Sequence, residues 1–147
     1  MCRAIRFNRF EFSDKELKAH GFEASGSEIR VSFNSKSPLL PVHYRGKNIF
    51  LPWGNKGRFF VPKTYHCRLK SLKAGKWRYF NPEPVIIIVS FGLINGVWFQ
   101  VRQGMKGIFI KDKPGHKFCY IITRPSTHYF RVMTGSRRMP VLLNQIL

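Results

Sequence analysis

Cysteine at position 2 is the residue of this 147-residue chain with the most specific chemical potential. A small second residue permits removal of the initiator methionine, which leaves a free α-amine beside the thiol. Such a 1,2-aminothiol is a reagent for aldehydes: the amine condenses to a Schiff base and the thiol closes on it as a thiazolidine. Unperturbed, the two groups titrate at about 7.7–8.0 and about 8.5. A positive field is expected to lower both, enriching the neutral amine and the thiolate. Composition alone favours chance as the reason for a cysteine there, so other features have to decide.

The remaining routes to chemistry are thin. After residue 28 the only acids are Glu83, between two prolines, and Asp112, between two lysines, and both read as exposed loop residues. A paired-carboxylate site would have to borrow from the first 28 residues. There is no Gly-x-Ser-x-Gly turn and little acid to orient a histidine, which argues against a serine hydrolase. His66 sits beside Cys67, but adjacent strand residues point to opposite faces and no second pair stands at ligand spacing. Cys2, Cys67 and Cys119 are odd in number and unpaired in pattern, so neither a disulfide framework nor a metal is indicated, and no cofactor is expected. The other histidines read as structural or surface groups.

Aromatics interleaved with bases are the strongest pattern. Trp53-Gly54-Asn55-Lys56-Gly57-Arg58-Phe59-Phe60 and Lys76-Trp77-Arg78-Tyr79-Phe80 set ring faces next to cations. A nucleic-acid single strand needs that combination, because bases stack on rings while Lys and Arg follow phosphates. Strand alternation sends about half of such rings into a core instead.

Charge points the same way. Residues 1 to 28 balance five acids with five bases, whereas residues 29 to 147 hold 21 bases and two acids, so that stretch carries the whole formal charge of +19. Such an excess favours a polyanionic partner, with nucleic acid ahead of a membrane surface or an acidic protein. A hydrophobic content of 44% sets the chain apart from a disordered basic tail. The longest apolar run, Val85 to Ile94, is half what a membrane helix needs and reads as a buried strand. No signal peptide is evident, so a soluble intracellular protein, cytoplasmic or nucleoid-associated, without a membrane partner is expected.

These residues have to be positioned by one domain spanning 1–147, in which Ser13 with Glu16 three residues on has capping-box spacing and starts the one convincing helix, ended by Gly21. From Glu28 onward short apolar stretches alternate with Gly and Pro: EIRVSF, PVHYRG, NIFLPWG, GRFFVP, KWRYF, VIIIVSFGLI, GVWFQVR, GIFIKD and KFCYIIT. The expectation is an α+β fold, mainly antiparallel β, with a barrel-like or strongly curved sheet and one short N-terminal helix.

Several of these segments, in order along the chain, resemble the SRAP (SOS-response-associated peptidase) family, whose members bind single-stranded DNA and cross-link an N-terminal cysteine to abasic sites. Met1-Cys2 matches the family's start. Phe33-Asn34 with Ser37-Pro38 is similar to its Tyr-Asn-x-Ala-Pro segment, and Trp53-Gly54 to its Trp-Gly turn. His66-Cys67-Arg68 stands where Asn-Ala-Arg is usual, and Trp98-Phe99-Gln100 where a Gly-Trp-Tyr/Phe-Glu segment is. Arg138-Met139-Pro140-Val141-Leu142-Leu143 is close to Arg-Met-Pro-Val-Ile-Leu, the most specific match.

The resemblance implies an SRAP-type curved sheet and a role in the DNA damage response, with Cys2 as nucleophile. It assigns Arg68 to a DNA phosphate, and Phe59 and Phe60 to an aromatic wedge. Arg58, Arg137 and Arg138 join as phosphate candidates and Trp53 as a stacking candidate. At the family's acid–base positions this chain has Gln100 for glutamate, Ser136 near histidine and His66 for asparagine, and the opening is Cys2-Arg3-Ala4 rather than Cys-Gly-Arg. Gln100 cannot exchange a proton at neutral pH, so His66 is the group expected to take over proton transfer. Two other readings stay open: a non-catalytic nucleic-acid binder, and an autoprocessing peptidase that removes its own Met1. The expected partner is single-stranded DNA, especially with abasic sites, RNA stays open as a competing ligand, and a monomer is expected.

Overall fold

The computed structural model describes residues 2–23, 25–57 and 59–143. Eleven strands form two sheets among them. One, of four strands, runs β2 (Glu28–Ser32), β1 (Ala4–Asn8), β7 (Phe91–Ile94), β8 (Val97–Gln100), antiparallel throughout. The other, of seven, runs β11 (Arg138–Pro140), β10 (Lys117–Pro125), β9 (Met105–Lys111), β6 (Glu83–Ile87), β3 (Leu39–Tyr44), β4 (Lys47–Pro52). Its seventh strand, β5 (His66–Arg68), is the exception in direction and pairs parallel with β10.

The chain is thus α+β with mostly antiparallel sheets, but among the described residues they do not close into a barrel. The larger sheet curls until Trp53, just past β4, bridges Cys119 of β10 and the Gly54 N–H donates to the Cys119 carbonyl at 2.7 Å. The pairing stops there. Gly54 allows the turn because its φ is +63° and a Cβ would stand 2.5 Å from the Thr64 carbonyl oxygen.

Packing follows the apolar pattern. On β10, Cys119 and Ile121 enter the core between the sheets, while Phe118, Tyr120 and Ile122 enter a second cluster with Trp77 and Ile108. Apolar residues on both faces are what a strand covered on both sides requires. Phe7 anchors the main core edge-on to Phe12, Phe22 and Phe50 at centroid separations of 5.8, 5.8 and 5.9 Å. The Val85 to Ile94 run is two strands rather than one. It passes from the larger sheet to the smaller at Ile88–Ser90, where the Ile88 N–H donates to Pro41 and the Ser90 N–H to Arg6, both at 2.8 Å.

Helix α1 (Asp14–Ala19) has the expected capping box: the Glu16 N–H donates to Ser13 Oγ at 3.1 Å, and Glu16 Oε1 accepts from the Ser13 N–H at 3.2 Å. It is not the only helix. α2 (Leu69–Lys73) and α3 (His128–Thr134) join it, with 3-10 turns at Arg9–Glu11 and Arg78–Phe80. α3 is set off by its ends, a Thr127 side chain that caps the Phe130 N–H at 3.2 Å and Gly135 at φ +72°.

Two segments expected as strands are not strands. In GRFFVP the Asn55 side chain takes the backbone groups a ladder would use, donating to Phe59 and Val61 carbonyls at 3.2 and 3.0 Å and accepting from the Gly57 N–H at 3.1 Å. KWRYF is bracketed by left-handed residues, Gly75 at +78° and Asn81 at +49°, which turn it into a 3-10 turn. No helix among the described residues is long and apolar enough to cross a membrane.

Candidate functional site

β5 and β11 lie on either side of β10, with His66, Cys67 and Arg68 facing Ile121, Ile122 and Thr123 in register, and Arg138 opposite Pro125. Alternation buries Cys67 in the second cluster and turns His66 and Arg68 the other way. Five residues singled out in the sequence therefore meet: His66, Arg68, Ser136, Arg137 and Arg138 line one cleft of about 460 Å³. Thr64, Ser71, Trp77 and Thr123 complete the wall, and no carboxylate is among them. Glu83 and Asp112 are engaged elsewhere: Glu83 begins β6 rather than lying in a loop and accepts from Tyr44 and Arg45, while Asp112 stands in the loop between β9 and β10, as expected, and accepts from His116.

The cleft is electropositive. Burial, aided by the nearby Arg68 charge, lowers the Arg138 pKa from its ordinary value. Arg138 donates one guanidinium N–H to Thr123 Oγ1 at 3.2 Å, and its Nε is buried without a partner. Two guanidiniums drawn together without a counter-ion among the described residues make a site for an anionic oxygen cluster. Ser136 holds the turn that aims Arg138: its hydroxyl donates to the Arg138 carbonyl at 2.6 Å and accepts from the Arg138 N–H at 3.2 Å. That makes Ser136 a positioning group rather than a free proton donor.

No protein-family model matches this chain, and neither does any curated protein.

His66 joins the cleft to Cys2. Its Nε2 is 3.2 Å from the Cys2 carbonyl oxygen, which can only accept, so Nε2 carries the proton and Nδ1 keeps the basic lone pair. Burial lowers the His66 pKa to about 4, and the Arg3 and Arg138 charges push it the same way against the opposing effect of that hydrogen bond. The imidazole is therefore neutral at physiological pH.

Cys2 departs from expectation. Its side chain is fully buried in the main core, and its Sγ donates to the Ala4 carbonyl at 3.3 Å. Desolvation drives the thiol up to about 11, against partial relief from the Leu93 and Ala4 backbone and from the N-terminal charge. The field was expected to lower it.

Trp53 also has to be corrected. It is 2% exposed, its indole N–H donates to the Tyr65 carbonyl at 3.2 Å, and it has no face left for a base. The ring follows the curl that ties it to Cys119, so it is core. Phe60, by contrast, is wholly exposed, and Phe59 is partly so, resting on His116 at 4.3 Å and Phe118 at 5.4 Å. Gln100 is exposed at the end of β8, opposite Phe91, and does not line the cleft. Arg58 lies outside the described residues.

Tyr65 is the residue that sequence reasoning missed. It stacks on Phe33 at 4.6 Å and 23°, contacts the His66 ring at 3.6 Å, and accepts from Arg3 Nε at 2.8 Å. The signal was available: Tyr65-His66-Cys67-Arg68 repeats the interleaving of rings and cations already noted at 53–60.

Proposed function

We propose that this domain is an SRAP-type module that binds single-stranded DNA through the Arg68/Arg138 cleft and captures abasic sites at Cys2. What carries the reading is the convergence just described: residues from three separated stretches line one cleft without a carboxylate, and His66 links it to the Cys2 carbonyl. The curled sheet packed on a smaller one supports an SRAP-like architecture within the same proposal.

The reaction requires that Met1 be removed, so that Cys2 carries the α-amine. That amine attacks the aldehyde carbon of the ring-opened abasic sugar and one water leaves, giving an imine. The thiol then adds: sulfur bonds the imine carbon, the C=N electron pair moves to nitrogen, and that nitrogen takes the proton the thiol gives up, while the Nε2–H of neutral His66 holds the Cys2 backbone in place. Arg68 and Arg138 hold flanking phosphates so that the aldehyde is presented, and positioning supplies much of the rate. Phe60, exposed beside the Trp53-Gly54 turn, is the wedge.

A second reading, DNA binding without chemistry, is favoured by the complete burial of Cys2 and by Gln100 lying outside the cleft. One experiment separates the two. Protein lacking Met1 is incubated with abasic and intact single-stranded oligonucleotides and run under denaturing conditions. Capture gives a shifted band with the abasic strand alone, lost in Cys2→Ala. Salt-sensitive binding without any shifted band assigns the second reading, and a band that survives Cys2→Ala refutes the mechanism.

A further inference from the structure

The four-stranded sheet has one buried face, with Ile5, Phe7, Ile94 and Phe99, and one that looks outward. On the outward face Arg6 and Arg30 are direct cross-strand partners, and both guanidiniums approach the same indole, 4.0 and 5.4 Å from the Trp98 ring centroid. Trp98 belongs to β8, so the indole reaches across β7 toward the β1/β2 edge. Like charges placed directly opposite on a sheet repel. Among the described residues neither arginine has an ion-pair partner, and Glu28, two residues from Arg30 on the same face, pairs with neither. Phe91, half-buried, stands directly across from Arg6.

Two unneutralised guanidiniums beside half-exposed rings on an open sheet fit a single-stranded nucleic acid, with phosphates on the arginines and bases against the rings. Arg6 is also four residues past Cys2, about 13 Å along extended chain. We infer that this face is a second contact for the flank of the same single strand whose phosphates occupy the Arg68/Arg138 cleft, an inference that rests on the strand-binding reading above. Arg6 and Arg30 each neutralise one phosphate of that flank, and Trp98 lies beneath it.

Oligothymidylates of about 30 and about 6 nucleotides, titrated against the wild type and Arg6→Gln/Arg30→Gln over a range of salt, test this. Each lost phosphate contact on a single strand removes about 0.7 from the slope of log K against log salt, or about fivefold in affinity at 0.1 M. The double variant should therefore lose about 1.4 in slope and about 25-fold in affinity for the long strand, with the short strand unchanged and Arg6→Lys/Arg30→Lys restoring the slope. Independently of folding in the variants, long-strand binding should quench emission that is absent from Trp98→Phe. Unchanged slope and affinity in the glutamine variant, or equal quenching in Trp98→Phe, overturns the inference while leaving the cleft reading intact. Polyglutamate binding as tightly as oligothymidylate also overturns it. Failure of the wild type to bind either strand overturns both.

Discussion

His66 supplies the sharpest physical test of the site, because its neutrality is a property of the folded state. Burial holds its pKa at about 4, well below the ordinary 6.5 of a histidine. A depressed histidine pKa means that the unfolded chain takes up the proton first as pH falls, so folding is favoured more as pH rises through that window. The contribution is fully present above about 6.5 and is lost progressively toward about 4. The full shift corresponds to about 3 kcal/mol, and a fall from pH 8 to pH 5 removes about 2 kcal/mol of it. His66→Gln keeps an N–H for the Cys2 carbonyl but cannot titrate. Urea unfolding of both proteins at about pH 8 and about pH 5 isolates the residue, since every other group cancels in the difference. The wild type should lose about 2 kcal/mol more than the variant between the two conditions. Parallel losses would mean that His66 titrates as in open water, and the buried neutral imidazole that holds the Cys2 carbonyl would be refuted.

Arg68→Gln with Arg138→Gln should weaken binding of a short oligothymidylate and lower its salt slope by about 1.4, two single-strand contacts, as read by fluorescence anisotropy. Phe60→Ala should leave the urea midpoint within about 0.5 kcal/mol of wild type, because the ring is wholly exposed, while reducing abasic capture. Gly54→Ala should cost about 3 kcal/mol or more, measured by urea midpoint at unchanged m, since it forces a side chain into φ +63° and against the Thr64 carbonyl.

Local chemistry was legible in the sequence where one short segment decides the outcome. Ser13 and Glu16 specify α1 because both capping partners lie within four residues, and KFCYIIT reads as a strand because it is an apolar and aromatic run without Gly or Pro. The gathering of His66, Arg68, Ser136 and Arg138 was anticipated only through the family resemblance, since β5 and β11 meet across β10 from 70 residues apart. What stayed hidden depends on long-range closure. Nothing near Trp53 shows that a curling sheet will tie it to Cys119, and nothing near Cys2 shows that its thiol will be buried deeply enough for desolvation to decide its pKa. The strand-like GRFFVP fails because one side chain, Asn55, outcompetes a ladder for the backbone, a contest that alternation of apolar residues does not register.

The intact mass of the product formed with an abasic single strand decides whether Cys2 captures the aldehyde. Thiazolidine formation loses one water and nothing else, so capture at Cys2 gives a species at the mass of the protein without Met1 plus the oligonucleotide minus one water, formed by the wild type and absent with Cys2→Ala. Separate masses of unmodified protein and strand after prolonged incubation, or the same adduct from Cys2→Ala, would contradict it.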